Sequence, residues 1–228
     1  MPDENSLSLS VGTGINTVTH FKDFSLLQSS STEWLGFDRC ARPLSKDFPS
    51  HLGSMTDPSQ ITYYTKTGFN NDWNVKTFRP LPDLKLNLTW NRKIGDKVGT
   101  ILTFGYSNAN KTIPDMQNTR YGIYSATADV PTIEKNYIDN QFTNEVKINA
   151  MNNWSFILDS RNRFEFRNLF SQIGKNRFTE RYGTSTVSGE YYENQTEMLY
   201  SSRLSYVGQL AGLHTLDEDM TQTLNWTV

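Results

Sequence analysis

The chain has 228 residues, a formal net charge of −2 from 22 basic and 24 acidic side chains, and one cysteine. That balance gives no electrostatic footprint for nucleic acid or anionic lipid. One cysteine excludes an internal disulfide framework and a cysteine-rich metal site. Mean hydropathy is −0.59, and no apolar run approaches the roughly 18 residues of a membrane helix. The opening Met1-Pro2-Asp3-Glu4-Asn5-Ser6 carries neither the basic nor the apolar segment of a secretory leader. Aromatics make up 13%, and with the many Asn, Ser and Thr they favour strands over helices.

Taken in chain order, the first predicted strand covers about 5–20, with Leu7, Leu9, Val11 and Ile15 alternating with Ser6, Ser8, Ser10, Gly12 and Gly14. A long connection, 22–82, follows. It carries Trp34, Phe37, Asp38, Arg39 and Arg42, then Tyr63, Tyr64 and Trp73. Aromatics beside charges on a loop suit contact with a ligand, and they equally suit the loop's own small core. Cys40 in this loop is expected to be an unreactive thiol. The clearest strand is 83–91, where Leu84, Leu86, Leu88 and Trp90 face one way and Lys85, Asn87, Thr89 and Asn91 the other. Gly95-Asp96 closes a hairpin onto a strand at 98–109.

A second long connection, 110–138, contains Tyr121 and Tyr124. Then 140–158 alternates Phe142, Val146, Ile148, Trp154 and Phe156 with Thr143, Glu145, Lys147, Asn153 and Ser155. A turn at Asp159-Ser160-Arg161-Asn162 leads into 162–174, where Phe164, Phe166 and Phe170 share a face. The third long connection is 175–194. The strand 196–214, the acidic turn Asp217-Glu218-Asp219 and the strand 220–228 complete about seven. Long and short connections alternate, as they do when one end of a barrel has tight turns and the other extended loops. The odd count and the strand at each end lead to the expectation of a fragment of a longer or broken gene.

His20, His51 and His214 are far apart and lack helical spacing, so neither metal binding nor catalysis is expected of them. No nucleophile elbow occurs. Gly12-Thr13-Gly14 is too short to cradle a phosphate. The sequon-like triplets at Asn87, Asn153 and Asn225 fall in predicted strands and read as chance. No cofactor, metal or enzymatic activity is expected.

Several segments together resemble the barrel of Bacteroidota-type TonB-dependent outer-membrane receptors. They are the run Pro2–Phe24, Trp34-Leu35-Gly36-Phe37-Asp38, Arg42-Pro43-Leu44, Phe48-Pro49, Phe69-Asn70 and Trp73. Further along come Gly99–Asn108, Asn168-Leu169-Phe170 with Gly174, Leu204–Leu216 and Leu224-Asn225-Trp226. The resemblance implies an all-β, up-and-down antiparallel transmembrane barrel segment. The resemblance further implies a wall of about 22 strands around a plug domain, with the plug expected to lie outside this stretch. It implies partners: outer-membrane lipid, the receptor's own plug, the TonB complex through the full-length receptor, and a small solute or glycan. Nucleic acid is not among them.

The three long connections would be extracellular and the short turns periplasmic. Leu84, Leu86, Leu88, Val146, Ile148, Phe164 and Phe166 would face lipid. Lys85, Asn87, Glu145, Lys147, Glu165, Arg167, Glu197 and Arg203 would face the lumen, with Glu145/Lys147 and Glu165/Arg167 pairing across strands. Trp90, Trp154, Trp226 and Tyr106 suit an interfacial girdle. Candidate ligand contacts are Trp34, Phe37, Asp38, Arg42, Tyr63, Tyr64, Trp73 and Tyr121. Two other readings stay open: a soluble antiparallel β-sandwich that binds glycans through loop aromatics, and a small self-contained barrel.

Overall fold

The computed structural model describes residues 4–28, 30–39, 42–51, 53, 55–69, 72–217, 219 and 221–228. Cys40, Asn70 and Glu218 lie outside the described residues. Strand takes 64% of the chain and helix 6%, so the fold is all-β. The elements are β1 (Ser6–Gly14), β2 (Phe24–Leu27), a 3-10 turn (Glu33–Leu35), α1 (Pro58–Thr67), β3 (Val75–Phe78), β4 (Asp83–Ile94), β5 (Val98–Ser125), β6 (Val130–Ile157), β7 (Asn162–Ser185), β8 (Tyr191–Thr215) and β9 (Thr223–Thr227). No helix among the described residues is long and apolar enough to cross a membrane, which says nothing of strands.

Seven strands form one antiparallel sheet in the order β1-β4-β5-β6-β7-β8-β9. This is the expected up-and-down meander with the expected count. It does not close: β1 and β9 are both edges. Only a two-stranded ribbon, β2-β3, forms a second sheet among the described residues.

Three expected boundaries change. Residues 110–138 do not form a loop, because β5 and β6 run 28 residues each and meet in a turn at 126–129. Residues 175–194 are likewise mostly strand: β7 continues to Ser185 and β8 begins at Tyr191. At roughly 3.3 Å per residue these strands span about 80–90 Å, far beyond the usual five or six residues. The expected strand 5–20 stops at Gly14, and the chain turns at Asn16, whose carbonyl accepts from the Thr19 and His20 amides. His20 then reaches Asp83 at the start of β4 (3.1 Å).

Residues 22–82 fold back over the sheet. Phe24 and Leu26 of β2, with Phe178, make the one fully buried apolar cluster among the described residues, and Phe142 and Met198 pack against it. Those three sheet residues sit in one cross-strand row, Phe142↔Phe178↔Met198. Phe24 meets Phe78 and Phe142 edge-on, both at 5.5 Å.

The apolar face therefore has two halves. Near the long hairpins it is covered by the 24–36 segment, and Val146 is only 2% exposed. Val146 and Ile148 thus do not face lipid as expected; the returning chain buries them. Nearer the short turns the face is bare, and Phe104, Phe156, Phe166, Leu204 and Leu210 remain exposed. At the short-turn end the indole of Trp226 lies across Gly212, its direct partner on β8. A Cβ on that glycine would stand 2.3 Å from the ring. His214 and Trp226 stack there, and Phe164 meets both rings edge-on.

On the opposite, polar face the expected cross-strand charge pairs are absent. Lys147 bonds Glu145 (2.6 Å), and Arg167 bonds Glu165, each within its own strand. The register explains this: Lys147 stands opposite Ile173, and Glu165 stands between Ser155 and Ala211. Cross-strand pairs form instead at Arg177–Glu197 (3.0 Å), Arg181–Asp139 (2.7 Å) and Arg120–Glu134 (2.9 Å).

Candidate functional site

Four of the candidate residues gather where the 3-10 turn meets the sheet. Glu33 opens the turn, and its Oε1 accepts from the Ser30 amide at 3.1 Å. Gly36 ends the turn at φ +79°, a conformation that favours glycine. Its carbonyl accepts from Gln172 Nε2 (2.5 Å) and from Ser202 Oγ (3.1 Å) on the sheet. The Trp34 carbonyl accepts from Tyr106 Oη at 3.0 Å.

Arg42 locks this corner. Its guanidinium donates to Glu33 (2.9 Å) and to the Gln28 carbonyl (3.0 Å), and it pairs with Asp38 (3.0 Å). It also lies 4.7 Å over the Tyr200 ring. Burial disfavours its charged form, but the hydrogen bonds to Glu33 and Asp38 prevail, and its pKa is raised. Burial and the neighbouring Glu33 and Asp38 carboxylates push the Tyr200 hydroxyl up to about 12. Glu33 is itself buried and accepts from Asn176 Nδ2 at 3.2 Å. Arg42 and Asp38 are thus engaged in holding the segment to the sheet. Trp34 remains 59% exposed and free to meet a ligand.

The other candidates are not brought here. Tyr63 and Tyr64 sit on α1, and Tyr64 packs edge-on against Phe48, which also meets Phe69. That helix starts at an Asp57 N-cap, whose Oδ1 accepts from the Ser59 amide at 2.9 Å, with Pro58 at the first position. Trp73 lies just before β3 and is 70% exposed. Tyr121 lies near the far end of β5, at a register shift.

Between the returning segment and the sheet lies a cleft of about 670 Å³. Trp34, Lys76, Arg79, Leu84, Asn108 and Asn110 are among its lining residues. Most of these were not anticipated from the sequence. Asn108 and Asn110 share a face with Leu84, two residues apart on β5, and Asn144 Nδ2 donates to both of their Oδ1 atoms (2.7 and 2.9 Å). The sequence signal was present: the apolar alternation of β5 gives way to asparagine on the same face after Tyr106.

His20 and His214 are held by structural bonds, to Asp83 and to Asn162 and Trp226. Among the described residues no three of His, Cys, Asp and Glu are grouped to hold a metal ion. No family model matches the sequence, and neither the curated proteins nor the solved structures yield a match.

Proposed function

We propose that the chain is a section of an outer-membrane barrel wall of the TonB-dependent receptor type, serving ligand uptake. The observation that carries this reading is the bare apolar half of an up-and-down sheet. On β6 that half runs from Ala150 to Phe156, with Ile148 already under the returning chain; the bare stretch is shorter than the about 9–11 residues with which a tilted strand crosses a bilayer. Next to it lie β7 Phe164, Phe166 and Phe170 and β8 Leu204 and Leu210. An aromatic cluster marks its short-turn end, as an interfacial girdle would. Two polar side chains lie within the band: Asn168 donates to the Asn152 carbonyl (3.2 Å) and accepts from Tyr206 Oη (2.7 Å), whereas the buried Oδ1 of Asn152 has no partner among the described residues.

On this reading the polar face looks into the lumen and meets the receptor's plug domain. Energy arrives through the TonB complex, and the cargo is a small solute or glycan. The chain supplies wall and surface loops and carries out no catalysis.

The test uses single-tryptophan forms of the full chain refolded into vesicles containing brominated phospholipid. Trp154 and Trp226 are expected to be quenched, and Trp73 to be spared. A monodisperse, cooperatively folded protein in detergent-free buffer, with no quenching of Trp154 or Trp226 by lipid, would overturn the reading.

A further inference from the structure

We infer that the cleft between β3 and the β5–β6 face binds the acidic head group of an amphiphile whose chain runs down onto the apolar band. The head site stands on the cleft alone; the course of the chain rests on the membrane reading above.

Size and position come first. A cleft of about 670 Å³ lies within the roughly 300–1,000 Å³ range of small-molecule sites. Its floor includes Leu84 of β4 and Asn108 of β5, which stand directly opposite each other. The next residues of the same rows, Leu86↔Tyr106 and Leu88↔Phe104, lead onto the bare half of the face. The exposed Trp34 forms a wall at the same place. A ligand with a polar end in the cleft would therefore lay any apolar extension along Leu86, Leu88 and Phe104.

Hydrogen-bond roles decide the head. Asn144 occupies the Oδ1 atoms of Asn108 and Asn110. Their Nδ2 groups make no bond among the described residues, so both amides are left as donors. Lys76, on β3, lines the cleft and has no carboxylate partner among the described residues. Among the described residues Arg79 is tied only by an exposed pair to Asp23 (3.1 Å), a type worth little. The acid on the opposite wall, Glu33, already accepts from Arg42, Asn176 and the Ser30 amide. Lys76 and two carboxamide donors are what remains, and they fit acceptor oxygens that carry negative charge.

The experiment uses the full chain in neutral maltoside micelles, with Trp34 as the single tryptophan. Brominated phosphatidylglycerol and brominated phosphatidylcholine are titrated separately. Phosphatidylglycerol is expected to quench Trp34 at about fivefold lower mole fraction, the preference one lysine gives an acidic head. Lys76→Ala should remove that preference, and Lys76→Glu should reverse it. Lys76 is exposed, so neither change threatens the fold.

Equal quenching by the two lipids, or a preference that survives both substitutions, would overturn the proposal. So would inorganic phosphate alone displacing phosphatidylglycerol at equal concentration, which would mark an anion site indifferent to the chain. A parallel form keeping only Trp154 separates the two readings. Quenching of Trp154 without a Trp34 preference removes the cleft site and leaves the membrane wall. A Trp34 preference without quenching of Trp154 does the reverse.

Discussion

Gly36 and Gly174 meet backbone to backbone. A Cβ on Gly174 would stand 2.5 Å from the Gly36 Cα, and one on Gly36 would stand 3.0 Å from the Gly174 amide nitrogen. This contact lets the 3-10 turn settle onto β7 closely enough for Gln172 and Ser202 to bond the Gly36 carbonyl. Gly174→Ala is therefore expected to lift the turn from the sheet at a cost of about 2 kcal/mol, the usual scale of overpacking. Amide hydrogen exchange over residues 24–38 should accelerate while the β6–β7 ladder stays protected. Unchanged protection over 24–38 would show that the turn docks by other means.

Arg42 sits among Glu33, Asp38 and the Tyr200 ring. Removing it leaves Glu33, 8% exposed, as a buried carboxylate without its cation. Arg42→Met is expected to cost about 3 kcal/mol, in the range for breaking a buried pair from one side. Pairing it with Glu33→Gln should recover part of that loss. Denaturant unfolding of the two single variants and the double variant gives the coupling directly. Strict additivity would mean that the pair contributes nothing specific.

All seven strands of the main sheet were legible at least in part, and the clearest were those with one dry and one wet face: β4, β5 to Ala109, β6 from Phe142 onward, β7 to Gly174, and β8. The long hairpin of β5 and β6 was hidden for a physical reason. Register shifts between Ile113 and Met116, and again on either side of Tyr121, insert extra residues and swap the faces. Asp115, at φ +51°, sits in the first of them. A period-two search fails where the parity flips, and Pro114 strengthens the impression of a loop. The distal parts of β7 and β8 are mostly polar, and Phe178 and Tyr182 on one face of β7 are too sparse to make a run of alternation.

Within 22–82, the Asp57-Pro58 start of α1 is a helix-capping signal that the expectation of one long connection passed over. The docking of this segment on Val146 was not readable, because it depends on Gly36 and Gly174, which lie 138 positions apart in the chain. Of the candidate ligand residues, Trp34, Phe37, Asp38 and Arg42 share one corner because they are near in sequence. The asparagines of the cleft come from two strands and are joined only by the fold.

The far end of the hairpins is braced by Asp139, which accepts two bonds from Arg181 (both 2.7 Å) and one from Asn118 (3.2 Å). The Arg181 bonds hold the carboxyl below its ordinary value of 3.8. Unfolding returns it to that value, so the stabilisation is full above about pH 4 and is lost as pH falls through the depressed folded value. Hydrogen exchange at 135–141 is expected to stay slow down to about pH 4 and to quicken below it. Asp139→Asn should show fast exchange at every pH, with a loss on the order of 2 kcal/mol for the charge-assisted bonds. A wild-type profile flat through the acid range would remove Asp139 as the brace.

The membrane reading makes a face-specific prediction on a single strand. Leu88 lies on the apolar face of β4, directly opposite Phe104; Thr89, its neighbour, points to the polar face opposite Thr103. If lipid covers the first face, Leu88→Arg in vesicles should cost about 2–4 kcal/mol near mid-bilayer, and less toward either edge. Thr89→Arg, on the lumen side, should cost well under half as much. Urea midpoints in vesicles measure both. The size of the difference should also depend on the lipid, shrinking in thin short-chain bilayers where an arginine reaches the interface more easily. A soluble fold with a dry core on the same side would also penalise Leu88→Arg. Its penalty would be the same with and without vesicles, and that equality is the result that would end the membrane reading.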